Sequence, residues 1–300
     1  MKLTKTRTAN ADCTRLAPQV TVDAQAYTSL PVHEQTRLRC LAAALSAHRA
    51  VLAACSAARV HRLWVLSARG EEDIELALAG GTAPPNAQVP PGWRYHKMKL
   101  PPGDIVSVSV SVSVSASAEE GAPSVRATSP ARTVVDLARL HGFVRGLVAA
   151  DSYLARGYER AALEAVARRL RGTRGIGQAR QVIEAAIGVS ESPYESLARG
   201  LLIHSGLAQR HRVEPQARIG AFRVDLLIDG WLALEVDGAS KYDGQTYGRA
   251  VEDVIRSERD REVYLQNQGF VVRRVTPRQL FSGYAEFMEM LTTTLRRARR

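Results

Sequence analysis

The stretch that decides the fold of the C-terminal part of the chain is RVDLLIDGWLALEVDGASKY, residues 223–242. Apolar residues alternate with mainly polar ones over residues 224–229, and a second apolar run covers residues 231–236. Asp229-Gly230 separates the two runs, and this pair accepts the positive φ that a tight hairpin needs. The sequence therefore predicts a β-hairpin here.

Three carboxylates, Asp225, Glu235 and Asp237, lie on this predicted hairpin, and Lys241 follows just past its end. Glu235 and Asp237 are two residues apart and share a face, and the hairpin can bring Asp225 across to meet them. Carboxylates on core-type strands are costly to desolvate unless a positive charge lies among them. Mg²⁺ takes one or two carboxylates, keeps several waters and binds substrate phosphates. The pattern predicts a site for Mg²⁺ or Mn²⁺ with these three acids as ligands.

Lys241 is the only lysine beyond residue 99, in a chain whose other late basic residues are all arginine. Arginine is locked in its charged state, whereas the pKa of a lysine can be tuned. Lys241 is therefore a candidate for positioning or deprotonating a water. A salt-bridging lysine after a turn explains the same residue equally well.

The C-terminal part also carries an ordered set of motifs: Glu195, Asp225, Glu235-Val-Asp237-Gly238, Lys241-Tyr242, Arg261-Glu262, Gly269-Phe270 and Arg274. Over residues 191–280 this set resembles the very-short-patch-repair (Vsr)-like endonuclease domains of the PD-(D/E)XK nuclease superfamily. The resemblance implies a mixed sheet flanked by helices, with Glu195 and Lys241 joining the three acids as catalytic residues. Asp237 stands where the family signature has a lysine, and Lys241 is the candidate to replace that lysine.

Two groups of this set have structural explanations as well. Ser192-Pro193-Tyr194-Glu195 predicts a helix start, and Ser-x-x-Glu is a capping box in which Glu195 reaches back to the Ser192 amide. Arg261 lies near Glu258 on a predicted helix, so a buried Glu–Arg brace is one explanation. The alternative is that Arg261 points to the acid cluster or to the scissile phosphate. Arg274 is the second expected nucleic-acid contact.

The rest of the chain divides by composition. Residues 1–30 are polar and predict a disordered arm, and residues 31–125 predict an α+β region that contains the repeat VSVSVSVSVSASA. Strict alternation favours a strand, but its length predicts a segment ordered only in part. Residues 126–190 predict a helical connector, and residues 191–300 the endonuclease-like domain. TSPARTVVDLAR, residues 128–139, resembles the segment before the nuclease domain in the same family, which is often compared with abortive-infection type IV (AbiEi-like) antitoxins, DNA-binding regulators.

Periodicity predicts the individual elements. In the first 190 residues, the expected helices are 34–59 (one or two helices), one from Ser129, 144–155 and 159–170, and the expected strands are 62–66, 74–79 and 93–100. In the C-terminal part, helices are expected from Ser192, over 249–268 and over 281–295, with strands Val213–Ile219, Phe222–Ile228, Leu232–Val236 and Val271–Val275 between them. The fold class is α/β, with a mixed sheet at the C-terminal end.

Composition limits the partners. The net charge of +11 and the pI of about 10.0 favour nucleic acid, although arginine-rich codon bias gives the same charge. Three cysteines without a CxxC pattern indicate reduced thiols and argue against a zinc site. The sequence contains no run of about 18 apolar residues and no secretory signal pattern, so a cytoplasmic protein without a membrane span is expected.

The leading hypothesis is a metal-dependent DNA endonuclease with an antitoxin-like N-terminal region. A DNA-binding regulator that keeps the nuclease fold without cleavage is the first alternative. A phosphodiesterase acting on RNA or nucleotides is the second.

Overall fold

The chain divides into two compact units, Met1–Ala186 and Ile187–Arg300. Both units are mixed α/β structures, and each contains a sheet with parallel and antiparallel pairs. None of the described helices is long and apolar enough to cross a bilayer. The computed structural model describes residues 2–5, 12–66, 72–110, 113–115, 124–237 and 251–297.

Two sheets form the N-terminal unit, one with strand order β2-β3-β1-β8 and one with order β6-β5-β4-β9-β7. The strands are β1 (Lys2–Lys5), β2 (Cys13–Ala17), β3 (Val20–Asp23), β4 (Ala50–Leu52), β5 (Ile74–Leu78), β6 (Trp93–His96), β7 (Ile105–Ser109), β8 (Ser113–Ser115) and β9 (Ser124–Thr128). The helices are α1 (Ala24–Thr28), α2 (Val32–Ser46), α3 (Ala54–Val60), α4 (Pro130–His141), α5 (Phe143–Ala155), α6 (Arg160–Arg169) and α7 (Ile176–Ala185). The Val/Ser repeat thus supplies β8 to the first sheet and most of β7 to the second, and its residues 111–112 and 116–118 lie outside the described ranges.

The prediction of a disordered arm over residues 1–30 is wrong for the described part of that segment. β2 and β3 form an antiparallel pair, and β1 pairs with β3. Leu3, Val20 and Val22 are almost fully buried in the main core of the unit, which also contains the apolar face of α2. The polar composition concealed this because a strand with one buried face needs an apolar residue only at alternate positions.

The segment predicted as a connector, residues 126–190, is not a separate part of the chain. Its helices α4 to α7 belong to the N-terminal unit, which ends at Ala186. Ser129 caps α4 as predicted, since its side chain accepts from the Arg132 amide. The range 34–59, predicted as one or two helices, contains α2 and α3 with the unpredicted strand β4 between them. Residues 62–66 form no strand, and the strand predicted over 93–100 ends at His96. No glycine or proline marks the β4 boundary, so the sequence gives no local signal for it.

A buried ion network holds α4 in the N-terminal unit. Arg132 is 1% exposed, and its guanidinium lies 2.6 Å from Asp104 Oδ2 and 2.7 Å from Asp136 Oδ2. Arg139 and Arg169 reach the remaining oxygens of the same two carboxylates. Two buried carboxylates are thus balanced by three guanidinium groups, which makes Arg132 the central charge of the network.

One four-stranded sheet, with order β10-β11-β12-β13, organises the C-terminal unit. The first three strands are antiparallel neighbours, and β12 and β13 are parallel. The elements are α8 (Pro193–His204), β10 (Val213–Ile219), β11 (Phe222–Ile228), β12 (Leu232–Val236), α9 (Val251–Asn267), β13 (Val271–Val275), α10 (Pro277–Phe281) and α11 (Tyr284–Arg297). The predicted mixed sheet is confirmed, and all four of its strands have the predicted bounds.

The hairpin between β11 and β12 turns at the predicted Asp-Gly pair. Asp229 has φ 52° and Gly230 has φ 75°, both in the left-handed region that this turn requires. The Asp229 side chain accepts from the Arg212 amide at 2.9 Å, and its other oxygen lies 2.6 Å from His211 Nδ1. The turn therefore fixes the register in which Ile228 faces Leu232.

We expect Arg132→Met to destabilise the N-terminal unit by about 3 kcal/mol, because it leaves buried carboxylates short of a counter-charge. Arg168→Met is the matched control, since Arg168 forms only an exposed pair with Glu164 at 3.9 Å and should change stability by less than about 0.5 kcal/mol. Urea unfolding followed by circular dichroism measures both. Equal midpoints for the two variants would contradict the central role of Arg132.

Candidate functional site

The candidate site lies where β11 and β12 stop pairing. Their ladder ends at Leu226 and Leu234, while β11 continues beside β10 and β12 continues beside β13. The Asp237 amide donates to β13, so the Val236 amide, one residue earlier, faces the side of β11. Asp225 takes the place of the missing strand partner, because its Oδ2 accepts from the Val236 amide at 2.7 Å.

Asp225 and Glu235 are the first residues beyond the last pair, one on each strand. Because side chains alternate along a strand, both belong to the face opposite that of Leu226 and Leu234. Glu235 is 8% exposed, and Asp225 is half-buried. Asp237, also half-buried, directly follows β12 and is two residues on from Glu235. The structure thus brings Asp225 and Glu235 to one place, with Asp237 at its edge.

Arg261 supplies the positive charge at this place. Its Nη2 lies 2.6 Å from Glu235 Oε1, and the same nitrogen donates to the Arg223 carbonyl. The contact of Arg261 with the acid cluster, one of its two explanations, is therefore present. The side chain of Glu258 lies outside the described residues.

Arg274 borders the same face from the next strand. It is in register with Glu235 on the parallel strand β13, and residues in register on parallel strands share a face. Its Nη2 lies 3.6 Å from Glu262 Oε2, and its side chain is 33% exposed. Of the two predicted nucleic-acid contacts, Arg261 and Arg274, Arg274 is therefore the more exposed to solvent.

Glu195 reaches the cluster from α8. Ser192 accepts from the Glu195 amide at 3.2 Å, so the serine half of the predicted capping box is formed. The Glu195 carboxylate, however, accepts from the Glu191 amide at 2.9 Å and from Gln216 Nε2 at 2.6 Å. Glu195 therefore links the start of α8 to strand β10.

Gln216 is the residue that the sequence did not indicate. It lies on β10 between the pairs Pro215–Leu226 and Ala217–Val224, and so stands opposite Asp225. Its φ of 53° is in the left-handed region, which costs a non-glycine residue about 1 kcal/mol or more. No motif marks such a residue, because its position follows from the register of β10 and not from its neighbours in sequence.

The charge of Asp225 affects the pKa of Glu195. Burial raises the pKa of Glu195 above its ordinary value of 4.5, and the negative charge of Asp225 raises it further, against the lowering effect of the Glu191 amide. The two carboxylates are thus close enough to repel each other. A cation beside Asp225 would relieve this repulsion.

Two of the three predicted ligands suit a hard cation by their chemistry and their shared face. Asp225 and Glu235 offer oxygen ligands on one face, and Mg²⁺ ordinarily needs only one or two carboxylates from the protein. Within the described residues, the acids of this unit do not form a trio with ligand atoms within 4.8 Å of one another. Lys241 lies outside the described residues, as does the rest of the segment 238–250. The roles of Asp237 as a third ligand and of Lys241 as the active cation therefore stay predictions.

Comparison with known proteins gives no assignment: neither a family model nor a curated protein matches the chain. Function therefore has to be inferred from the side chains themselves.

We expect the stability difference between the wild type and Glu195→Gln to depend on pH. The folded-state pKa of Glu195 is raised, so its contribution to stability is fully present below the ordinary value of 4.5 and is lost as the pH rises through the folded value. The urea midpoint of the wild type, relative to the variant, should accordingly fall between pH 4 and pH 7.

Glu289→Gln on α11 is the matched control, because Glu289 is exposed. Its difference from the wild type should stay nearly constant over the same pH range. A stability difference between the wild type and Glu195→Gln that is constant or rises with pH would contradict the conclusion that the Glu195 carboxylate is buried and repelled by Asp225.

Proposed function

We propose that the C-terminal unit is a metal-dependent nuclease that hydrolyses phosphodiester bonds of DNA, with Asp225 and Glu235 as its cation ligands. The observation that carries this proposal is the shared position of the two carboxylates where β11 and β12 part. The order of one helix, three strands, a helix, a strand and further helices agrees with the PD-(D/E)XK fold that the motifs resemble. Arg261 on Glu235 adds a cation that a phosphate can share.

Mg²⁺ or Mn²⁺ at these ligands would polarise a phosphoryl oxygen and lower the pKa of an attacking water. In this proposal the Val236 amide sets the position of Asp225. Glu195 holds Gln216 opposite Asp225. Glu195 then acts as a positioning residue. Asp237 is proposed as a third ligand or a water-orienting base, and Lys241 as the charge that stabilises the transition state.

Binding of the DNA backbone is proposed for Arg261 and Arg274. Arg261 can exchange Glu235 for a phosphate when a cation neutralises that carboxylate. Arg274 is partly exposed on the same face, and its pair with Glu262 at 3.6 Å is also partly exposed. The net charge of +11 supports a polyanionic partner without specifying its sequence.

A non-cleaving DNA-binding regulator is the second candidate, and one observation favours it. Glu235 is already neutralised by Arg261 at 2.6 Å, so the carboxylate needs no cation to be buried. A protein in which Glu235 is already paired with arginine can keep the nuclease fold without cleaving DNA. An RNA or nucleotide phosphodiesterase uses the same chemistry and differs only in substrate.

We expect the full chain to nick supercoiled plasmid DNA in the presence of Mg²⁺ or Mn²⁺. Asp225→Asn and Glu235→Gln should each lower the rate at least about 100-fold, because loss of a metal ligand removes several kcal/mol of transition-state stabilisation. Gel electrophoresis of the plasmid over time measures the rate. Single-stranded RNA, tested beside the plasmid, decides the substrate class.

Asp260→Asn is the matched control, since this carboxylate is exposed on α9 next to Arg261. It should cleave at the rate of the wild type. Equal nicking by Asp225→Asn would identify a contaminating nuclease. Binding of plasmid without nicking, in every metal tested, would overturn the enzyme in favour of the regulator.

A further inference from the structure

A second group of metal-ligand side chains lies in the N-terminal unit, and the proposed nuclease does not use it. Cys55 is in the first turn of α3, Glu75 is on β5, and His141 is the last residue of α4. One ligand atom from each lies within 4.8 Å of the other two. Within the described ranges this is the one trio of His, Cys, Asp or Glu that meets this distance.

The Glu75 carboxylate is the centre of the group. Its Oε1 lies 2.8 Å from His141 Nε2 and 2.9 Å from His96 Nε2, and its Oε2 accepts from the Cys55 amide at 2.8 Å. Glu75 is 3% exposed. Two imidazoles and a cysteine from three separate elements therefore converge on one buried carboxylate, which a fourth element carries.

The backbone around Cys55 is clamped to the strand that carries Glu75. The Ala53 amide donates to the Glu75 carbonyl at 3.0 Å, and the Glu75 amide donates to Ser56 Oγ at 2.8 Å. Ala54, between them, has φ 43° in the left-handed region. A non-glycine residue keeps such a conformation only where its surroundings enforce it. The thiol of Cys55 is thus held beside the carboxylate by contacts on both sides.

Burial and hydrogen bonds act differently on the two acidic groups of the trio. Burial raises the pKa of the Cys55 thiol well above its ordinary value, and the charge of Glu75 raises it further. Although burial alone would raise it, hydrogen bonds from His141 and His96 hold the pKa of Glu75 well below 4.5. A bound cation would deprotonate the thiol and meet a carboxylate that is already charged.

A cavity of about 640 Å³ borders the group at His96. His96, Lys97, Arg139, Arg174 and Gln178 are among its lining residues. His96 thus belongs both to the cavity wall and to the hydrogen bonds of Glu75.

We propose that Cys55, Glu75 and His141 form a zinc site in the N-terminal unit, with His96 holding the Glu75 ligand from the cavity side. Sulfur, imidazole nitrogen and carboxylate oxygen are the three ligand types that Zn²⁺ takes in proteins. Three protein ligands leave a further position for water or for a ligand that enters from the cavity. The mixed donor set excludes Mg²⁺ as the preferred ion, so the two units would take cations of different chemistry. This proposal departs from the expectation drawn from the cysteine count, because the proposed ligands come from segments that are distant in sequence.

The test is the zinc content of the purified full chain after incubation with Zn²⁺ and dialysis. The wild type should retain about one zinc ion per chain, and Cys55→Ser and His141→Gln should each weaken retention at least about tenfold. Cys13→Ser, in β2, is the matched cysteine control and should retain zinc. Replacement of zinc by Co²⁺ should produce thiolate charge-transfer absorption that Cys55→Ser lacks.

Asp225→Asn should retain zinc as the wild type does, so this result is independent of the proposed nuclease. If Cys55→Ser fails to fold, the cobalt spectrum and the zinc content of the wild type decide the matter alone. A wild-type chain that retains no zinc, or a cobalt complex without thiolate absorption, would overturn the proposal. Zinc loss in Asp225→Asn with retention in Cys55→Ser would assign the ion to the other unit and overturn it as well.

Discussion

The parting of β11 and β12 after Leu226 and Leu234 is the constraint on which the C-terminal unit depends. A strand that loses its neighbour leaves a buried amide, and an unsatisfied amide costs about 1–3 kcal/mol. Asp225 satisfies the Val236 amide and thereby keeps a carboxylate at the point of separation. The same contact stabilises the sheet and sets the position of the first proposed ligand. Asp225 is therefore held in place whether or not a cation is bound.

Glu235, the second proposed ligand, is held by an ion pair. Glu235 depends on Arg261, so a cation that binds Glu235 has to compete with a half-buried guanidinium at 2.6 Å. The occupancy of the proposed metal site and the position of Arg261 are accordingly coupled. In the proposed nuclease this coupling is useful, because the ion frees Arg261 for the DNA phosphate. In the proposed regulator the ion pair simply persists.

Local sequence signals predicted much of the C-terminal unit. The features that the sequence did not predict depend on pairing between segments that are distant along the chain. Alternation and the Asp-Gly turn predicted β11 and β12, and Ser192-Pro193 predicted the start of α8, since each depends on neighbouring residues. The strands within residues 1–30 were missed because β1 gains its partners from β3 and from the distant β8. Gln216 owes its position opposite Asp225 to strand register, and Cys55, Glu75 and His141 meet only through packing of three elements. Sequence spacing carries no signal for either arrangement.

The most direct test of the account is a crystal structure of the full chain soaked in Mn²⁺, with anomalous scattering to locate the ion. The account predicts one anomalous peak on the face of Asp225 and Glu235, roughly 2.1 Å from an oxygen of each. It also predicts that the Arg261 guanidinium no longer contacts Glu235 in that crystal. Absence of the peak at saturating Mn²⁺, with Arg261 still bonded to Glu235, would contradict the claim that these two carboxylates share a cation.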